Sequence, residues 1–295
     1  MRYHVRHVTS YAYAEPVDLA RHMLHLMPRD LAHQGLAHQT VLDVSLIGLP
    51  LPSRRNEALD HFGNRIAWMF LDVAHQKFDV TVEATVEVGF PPPPDPAATP
   101  PWESVAAALR GGGPGGWDAA EFVFDSPMVA ADPDAGAFVA SSFPPGRPIL
   151  AALLDLNARI RREFAFRAGV TTISTPVSVV LKQRAGVCQD FTHLMISGLR
   201  ALGLAGRYVS GYIRTRPPPG VAARRGVDQS HAWVGAWLGP EHGWIDLDPT
   251  NDLIVADEHV VLAWGRDYGD ISPVRGILLG GGRHGVKVSV DLQPV

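Results

Sequence analysis

Apolar and polar positions alternate along much of the first ninety residues. "YHVRHVTSYAY" (3–13) changes character at nearly every step, and "QTVLDVSLIGL" (39–49) is rich in β-branched residues. "NRIAWMFLDV" (64–73) and "KFDVTVEATVEVGF" (77–90) continue the pattern, with turn residues such as Gly63 and Asn64 between them. Short strands at this spacing predict an antiparallel sandwich or a partly open barrel. The periodicity changes after residue 148. "ILAALLDLNARIRREF" places Leu150, Leu153, Leu154, Asn157, Ile160 and Phe164 at helical spacing, and "TPVSVVLKQ" (175–183) predicts a shorter helix with proline near its start. A third helix begins at or just after Cys188, carries Phe191, Leu194, Met195, Leu199 and Leu202 on one face, and stops at Gly203. Strands return at "GRYVSGYI", "HAWVGAWL", "GWIDLD" and "VKVSVDLQPV". Helices followed by antiparallel strands describe an α+β domain.

Between the two regions stands "PPPPDPAATPP" (91–101), an extended, semi-rigid linker by its proline content. The following stretch is weakly patterned: "RGGGPGGWD" is a loop, with short helical pieces expected around Val105–Leu109 and Phe138–Ser142. The expected division is therefore an N-terminal β-sandwich-like domain at 1–90, a Pro/Gly-rich linker with short helices at 91–147, and a catalytic core with a C-terminal strand segment at 148–295.

Composition narrows the class of protein. The chain of 295 residues is 46% hydrophobic and 19% charged, as expected of a globular chain with a large core. A formal net charge of −4 gives no footprint for nucleic acid or for adsorption to anionic membranes. No run of about 18 apolar residues predicts a membrane span, and the first residues contain no apolar stretch of signal-peptide length. The one cysteine, Cys188, cannot form an intrachain disulfide. Together these features point to the reducing cytoplasm.

Free cysteine is most often a small buried hydrophobe. The setting "AGVCQDFTHLM" (185–195) argues for chemistry instead, because it puts Cys188 in the first turn of a helix. There the unpaired N–H groups and the positive end of the dipole favour a thiolate and a developing oxyanion. A nucleophilic thiol needs a base, and the base needs an orienting group. His231 opens the strand "HAWVGAWL", and the turn "GPEHG" returns the chain antiparallel through "GWIDLDPTN", with Asp246 and Asp248 on one face. One pairing register lets either carboxylate meet the imidazole, and a one-residue slip separates them. The other histidines carry less. His193 is expected to face outward or pack locally, and no spacing typical of zinc sites or nucleotide-binding loops occurs. The basic, proline-rich stretch 214–230 is a solvated loop by default and, lying just before His231, a candidate substrate loop.

The ordered run "GVCQDFTHLMISGLRALGLAGRYVSGYI", "SHAWVGAWL" and "GWIDLDPTN" resembles the core of the bacterial transglutaminase-like superfamily, whose members are described as transglutaminase-like cysteine proteases. "HFGN" (61–64) and its flanking strands resemble the N-terminal β-domain that accompanies this core, and "GRDYGDISPVRGILLGGG" (265–282) resembles the family's C-terminal segment. The resemblance implies a papain-like triad: Cys188 as nucleophile, His231 as general base and acid, Asp248 as orienting carboxylate. The pattern Trp-x-x-x-Asp-Pro-Thr selects Asp248 over Asp246. Tyr208 and Gly211 match positions of packing and close backbone approach. One departure is Gly235, where many relatives carry an acidic residue.

The implied reaction is acyl transfer through a thioester, on a peptide or protein substrate, with neither cofactor nor metal. Hydrolysis is the expected outcome. Transfer from glutamine to an amine uses the same triad, and a non-enzymatic binding module or a redox-sensing thiol would retain only the fold or only the cysteine. Oligomeric state and substrate identity carry no sequence signal.

Overall fold

A computed structural model describes residues 1–33, 36–111, 116–215 and 229–295. The alternating N-terminal segments form β1 (Arg2–Leu24), β2 (Leu31–His33), β3 (Leu36–Leu49), β4 (Arg54–Leu59), β5 (Arg65–Leu71) and β6 (His75–Val88). They pair antiparallel in the order β2-β3-β6-β1-β5-β4. The long β1 serves two sets of partners. Its first half pairs with β6, its last residues with β5, and the register shifts between Ala12 and Val17.

The stretch expected to be a linker is packed. It contains α1 (Trp102–Gly111), α2 (Trp117–Ala120) and α3 (Pro133–Ala140), then α4 (Ile149–Glu163). Val105, Ala106, Leu109, Phe138 and Val139 are buried in the same core as α4. The short helical pieces expected near Val105–Leu109 and Phe138–Ser142 are α1 and α3, and their apolar side chains cover the helices behind them.

Next come β7 (Ala165–Phe166), α5 (Val177–Gln183), β8 (Ala185–Gly186) and α6 (Cys188–Ala201). A second sheet follows, built from β9 (Gly206–Ile213), β10 (Gln229–Trp237), β11 (Trp244–Asp248), β12 (Leu253–Ile254) and β13 (His259–Gly265), ordered β12-β11-β10-β9-β13 and antiparallel throughout. Phe191, Leu194 and Met195 of α6 are buried in one cluster with Val234 and Ala236 of β10. Trp233, on the opposite face of β10 by the alternation, belongs to a separate cluster with Val209 and Val261, against which Leu31 and Phe90 pack. The face carrying Val234 thus meets helices and, around Tyr212 and His7, part of the N-terminal sheet, while the other face meets Leu31 and Phe90, an α+β arrangement.

The last two strands, β14 (Val274–Gly280) and β15 (His284–Pro294), do not extend this second sheet, as the simple succession of strands suggested. Both pair antiparallel with β1. Alternation shows that a segment is a strand and which face is apolar. It does not say which edge the strand will seek, and here β1 has a free edge long enough for both.

Two amides fasten the N-terminal sheet to β13. Gln39 Nε2 donates to Val261 O at 2.7 Å while its Oε1 accepts from Val261 N at 2.8 Å. Asn64 Nδ2 donates to Trp264 O at 2.7 Å and its Oδ1 accepts from Trp264 N at 2.9 Å. Each side chain takes the place of a missing strand neighbour on an edge that would otherwise bury unpaired backbone groups. The Arg29 guanidinium lies over the Trp264 ring at 3.4 Å and donates to Phe62 O and Asn64 Oδ1. Asn64→Ala should orphan both backbone groups of Trp264 and destabilise the fold by about 2 kcal/mol or more. The urea midpoint should fall at unchanged m-value; an unmoved midpoint would show that the edge does not depend on this clasp.

Candidate active site

Cys188 is the first residue of α6 and is partly exposed. The N-cap position is Val187, which has no side-chain acceptor. Asp190, at the third helical position, supplies the cap instead by accepting from Val187 N at 2.7 Å, and Thr171 Oγ1 donates to the same carboxylate oxygen at 2.7 Å. Burial pushes the Asp190 carboxyl above its ordinary value against those two hydrogen bonds. The segment entering the helix is held by parallel pairing of β7 with β8, so the thiol sits at a rigid strand-to-helix turn. The Cys188 N–H lies in the first turn and has no acceptor within the helix.

His231 is the third residue of β10 and is buried. The register pairs Gly235 with Asp246 and Val234 with Leu247. Odd positions of β10 therefore share a face with even positions of β11, which puts His231, Trp233, Asp246 and Asp248 on one side. This is the productive register of the two that the sequence allowed. Gly211 of β9 stands opposite His231, and a Cβ there would lie 2.2 Å from Val260 O and 2.3 Å from the Trp233 ring. Only glycine fits this crossing, a close backbone approach of the kind expected.

The two aspartates have separate partners. Asp248 Oδ2 bonds His231 Nε2 at 2.8 Å, and Asp248 itself is fully buried. Its Oδ1 accepts from the backbone of Thr250 at 3.0 Å and Asn251 at 3.3 Å, and Asn251 Nδ2 donates to Oδ2 at 2.7 Å. Asp246 instead accepts from Trp233 Nε1 at 3.0 Å and Arg207 Nη2 at 3.3 Å. Gly235 makes room for the latter pair, since a Cβ there would meet Arg207 Nε at 2.5 Å and Asp246 Oδ1 at 2.9 Å. The glycine that departs from the family habit thus accommodates an ion pair.

Burial disfavours a charged His231. Hydrogen bonds to Asp248 and Cys188, with the charges of both, outweigh it and raise the imidazole to about 10. With Nε2 committed to Asp248, Nδ1 is the ring nitrogen left for the thiol. Burial also opposes ionisation of Asp248, yet hydrogen bonds from His231 and Asn251, with the His259 ring close by, hold its carboxyl well below the usual carboxylate range. The result is an imidazole bonded to a buried carboxylate and raised as well by the nearby Cys188 thiol, with the inner end of the arrangement closed to water.

Other residues fall outside this line. His193 packs inward rather than facing solvent. Its ring lies 5.2 Å from that of Tyr208 and accepts from Tyr268 N at 3.2 Å, and burial lowers it to about 4. Gln183 is exposed and donates to Ala185 O at 2.7 Å. The candidate substrate loop 214–230 lies for the most part outside the described residues. A cavity of about 560 Å³ between the two sheets is lined by Arg207, Trp244, Asp246 and Trp264 together with Phe90 and Pro91, and none of Cys188, His231 and Asp248 reaches it. Sequence reasoning missed Asn251 and His259. Asn251 carried a faint signal, standing three residues beyond Asp248 where a turn side chain can reach back; His259 carried none.

Because the folded His231 value lies above the ordinary 6.5, stability contributed by the imidazolium is complete below about pH 6.5 and is lost as pH rises through about 10. Wild-type protein should lose unfolding free energy approaching pH 10 more steeply than His231→Gln. The His231 ring resonances should titrate near 10 and move down in Asp248→Asn, as followed by NMR. A midpoint near 6.5 in both proteins would contradict the coupling.

Comparison with known sequences and structures identifies the family and the fold. Residues 3–87 match the bacterial transglutaminase-like N-terminal region, and residues 142–249 match the transglutaminase-like superfamily core. An uncharacterized protein of Mycobacterium tuberculosis is 40% identical over 301 residues, spanning 99% of this chain and 93% of its own. An uncharacterized protein of Mycobacterium leprae is 30% identical over 295 residues, spanning 99% and 98%. Among solved structures, a proposed cysteine protease from Cytophaga hutchinsonii shares the fold with a TM-score of 0.75 at 22% identity, over 99% of this chain and 90% of that one. With both conserved regions present in order along one chain, and relatives matching from end to end, the protein belongs to the bacterial transglutaminase-like superfamily.

Proposed function

We propose that the protein is a thiol-dependent acyl-transfer enzyme that hydrolyses peptide or amide bonds through an acyl-thioester on Cys188. The observation that carries this reading is the hydrogen bond of His231 to the buried Asp248, with partly exposed Cys188 at the start of α6 and close enough to act on the imidazole. His231 takes the thiol proton, and the sulfur attacks the carbonyl carbon. The resulting oxyanion is met by the Cys188 N–H at the helix start. His231 then returns the proton to the departing nitrogen as the C–N bond breaks, leaving the thioester. A water molecule, deprotonated by the same imidazole, attacks the thioester carbon; the acid departs and the thiol is restored. Asp248 holds the ring so that Nδ1 addresses the sulfur, and it balances the imidazolium charge.

Water is the most abundant acceptor, so hydrolysis is the reaction assigned. The reduced thiol that this chemistry needs fits the cytoplasm, where a lone cysteine stays free. No helix among the described residues is long and apolar enough to cross a membrane.

Iodoacetamide should alkylate Cys188 well below pH 8.5, the ordinary thiol range, and His231→Ala should slow this sharply. A glutamine-containing peptide should release ammonia or a cleavage product, and activity should fall by about 10²–10⁴ in His231→Ala and vanish in Cys188→Ala. Alkylation with ordinary thiol kinetics, indifferent to His231, would sink the catalytic reading. Incorporation of an added amine in preference to water would convert the assignment to transamidation.

A further inference from the structure

Asp248 Oδ2 faces three side chains, and one of them has no place in a three-residue triad. His259 opens β13, at the far edge of the sheet from β12, and its Nε2 lies 3.7 Å from Asp248 Oδ2. The separation is too long for a hydrogen bond and short for an electrostatic contact between buried groups. The ring is buried, and neither of its nitrogens has a hydrogen-bond partner among the described residues. Trp233 holds it edge-on at a centroid distance of 5.3 Å, while β13 itself is fixed by pairing with β9 and by the Gln39 and Asn64 clasps.

Two buried, unpartnered ring nitrogens are costly, and a phenylalanine could fill the same space against Trp233 without that cost. Histidine at this place therefore calls for a role in which its nitrogen is used. The other charges near it are engaged elsewhere. Glu258, its neighbour in sequence, lies 3.9 Å from Arg214, and Asp257 accepts from Phe90 N. On the elements packed against the ring, the groups that face it are Trp233 of β10 and Asp248 of β11, and His231 meets the same carboxylate oxygen.

We propose that His259 is a positioning residue that acts through Asp248, keeping this carboxylate ionised and aligned when His231 has given up its proton. The proposal rests on the assignment of Cys188 as nucleophile. Acyl transfer moves a proton on to His231 and off again. While the ring is an imidazolium, Asp248 has a cation beside it. Once the proton goes to the leaving group, the buried carboxylate keeps only neutral donors, from His231 Nε2, Asn251 and the Thr250 and Asn251 backbone. A further N–H directed at Oδ2 reduces the free-energy swing between the two halves of the cycle. His259 approaches from a different strand with Nε2 3.7 Å from Oδ2, placed to present that N–H to the carboxylate on the side away from Asn251.

His259→Phe keeps the ring against Trp233 and removes the donor; His259→Gln restores a donor of similar reach. At pH 7 the Phe variant should be alkylated by iodoacetamide about tenfold more slowly than wild type, equivalent to a one-unit rise in the pH onset. It should lower kcat on a peptide substrate with KM little changed, and its thermal midpoint should be kept or raised. The Gln variant should recover most of the rate. A wild-type pH onset in the Phe variant would overturn the proposal, whereas an ordinary thiol onset in wild type itself would overturn the catalytic reading beneath it. The tautomer in unmutated protein is an independent check. Ring ¹⁵N shifts should place the proton of neutral His259 on Nε2, and a proton on Nδ1 would overturn the proposal even if the Phe variant failed to fold.

Discussion

The carboxylate of Asp248 is the constraint around which the rest is arranged. It is fully buried and ionised, a state that costs several kcal/mol unless donors surround it. No single element can provide them all. The imidazole comes from β10, the backbone and amide donors from the turn after β11, and a second ring from the first residue of β13. Satisfying one carboxylate thus requires the second sheet in its correct register, from β11 across to β13. A slip by one residue between β10 and β11 would put Asp248 on the opposite face from His231 and leave the charge unpaired.

The N-terminal domain takes part in this requirement at a distance. β13 is an edge strand, and edges without partners fray. Gln39 and Asn64 pair with it through their side-chain amides, and β14 and β15 return to close the far side of β1. The N-terminal and C-terminal segments therefore form one sheet whose side chains brace another. Arg29, stacked on Trp264, strengthens the same junction, and Arg207 lies over the other aromatic contacts of that wall at 3.9 Å from Trp264 and 4.5 Å from Trp244. Asp246, the aspartate that does not bond His231, ties this wall to the site by accepting from both Arg207 and Trp233.

Local chemistry was legible in the residues themselves. The change from twofold to helical periodicity located β1, β3, β5 and β6 and the helices α4, α5 and α6, because amphipathic burial acts within a few residues. The thiol at a helix start was legible for the same reason: the helix pattern begins where Cys188 stands. The alternation alone did not choose between Asp246 and Asp248, since both satisfy it; the Trp-x-x-x-Asp-Pro-Thr resemblance favoured Asp248, and in the fold pairing and the following turn give the two different partners. The destination of β14 and β15 and the packing of α1 and α3 depend on which surfaces remain open after the rest has folded. That information is distributed over the whole chain, and no window of residues holds it.

His259 is the extreme case of this kind. Its sequence neighbours mark a strand start and nothing more, and 28 positions of chain separate it from His231, which approaches the same oxygen. Its importance exists only in three dimensions, where Trp233 stands close to both rings, 6.1 Å from His231 and 5.3 Å from His259. Trp233 also donates to Asp246, so one indole braces both histidines and is itself anchored to the second aspartate. The alternation of β10 explains why this works: His231 and Trp233 are two residues apart on one face, a spacing that only a strand provides.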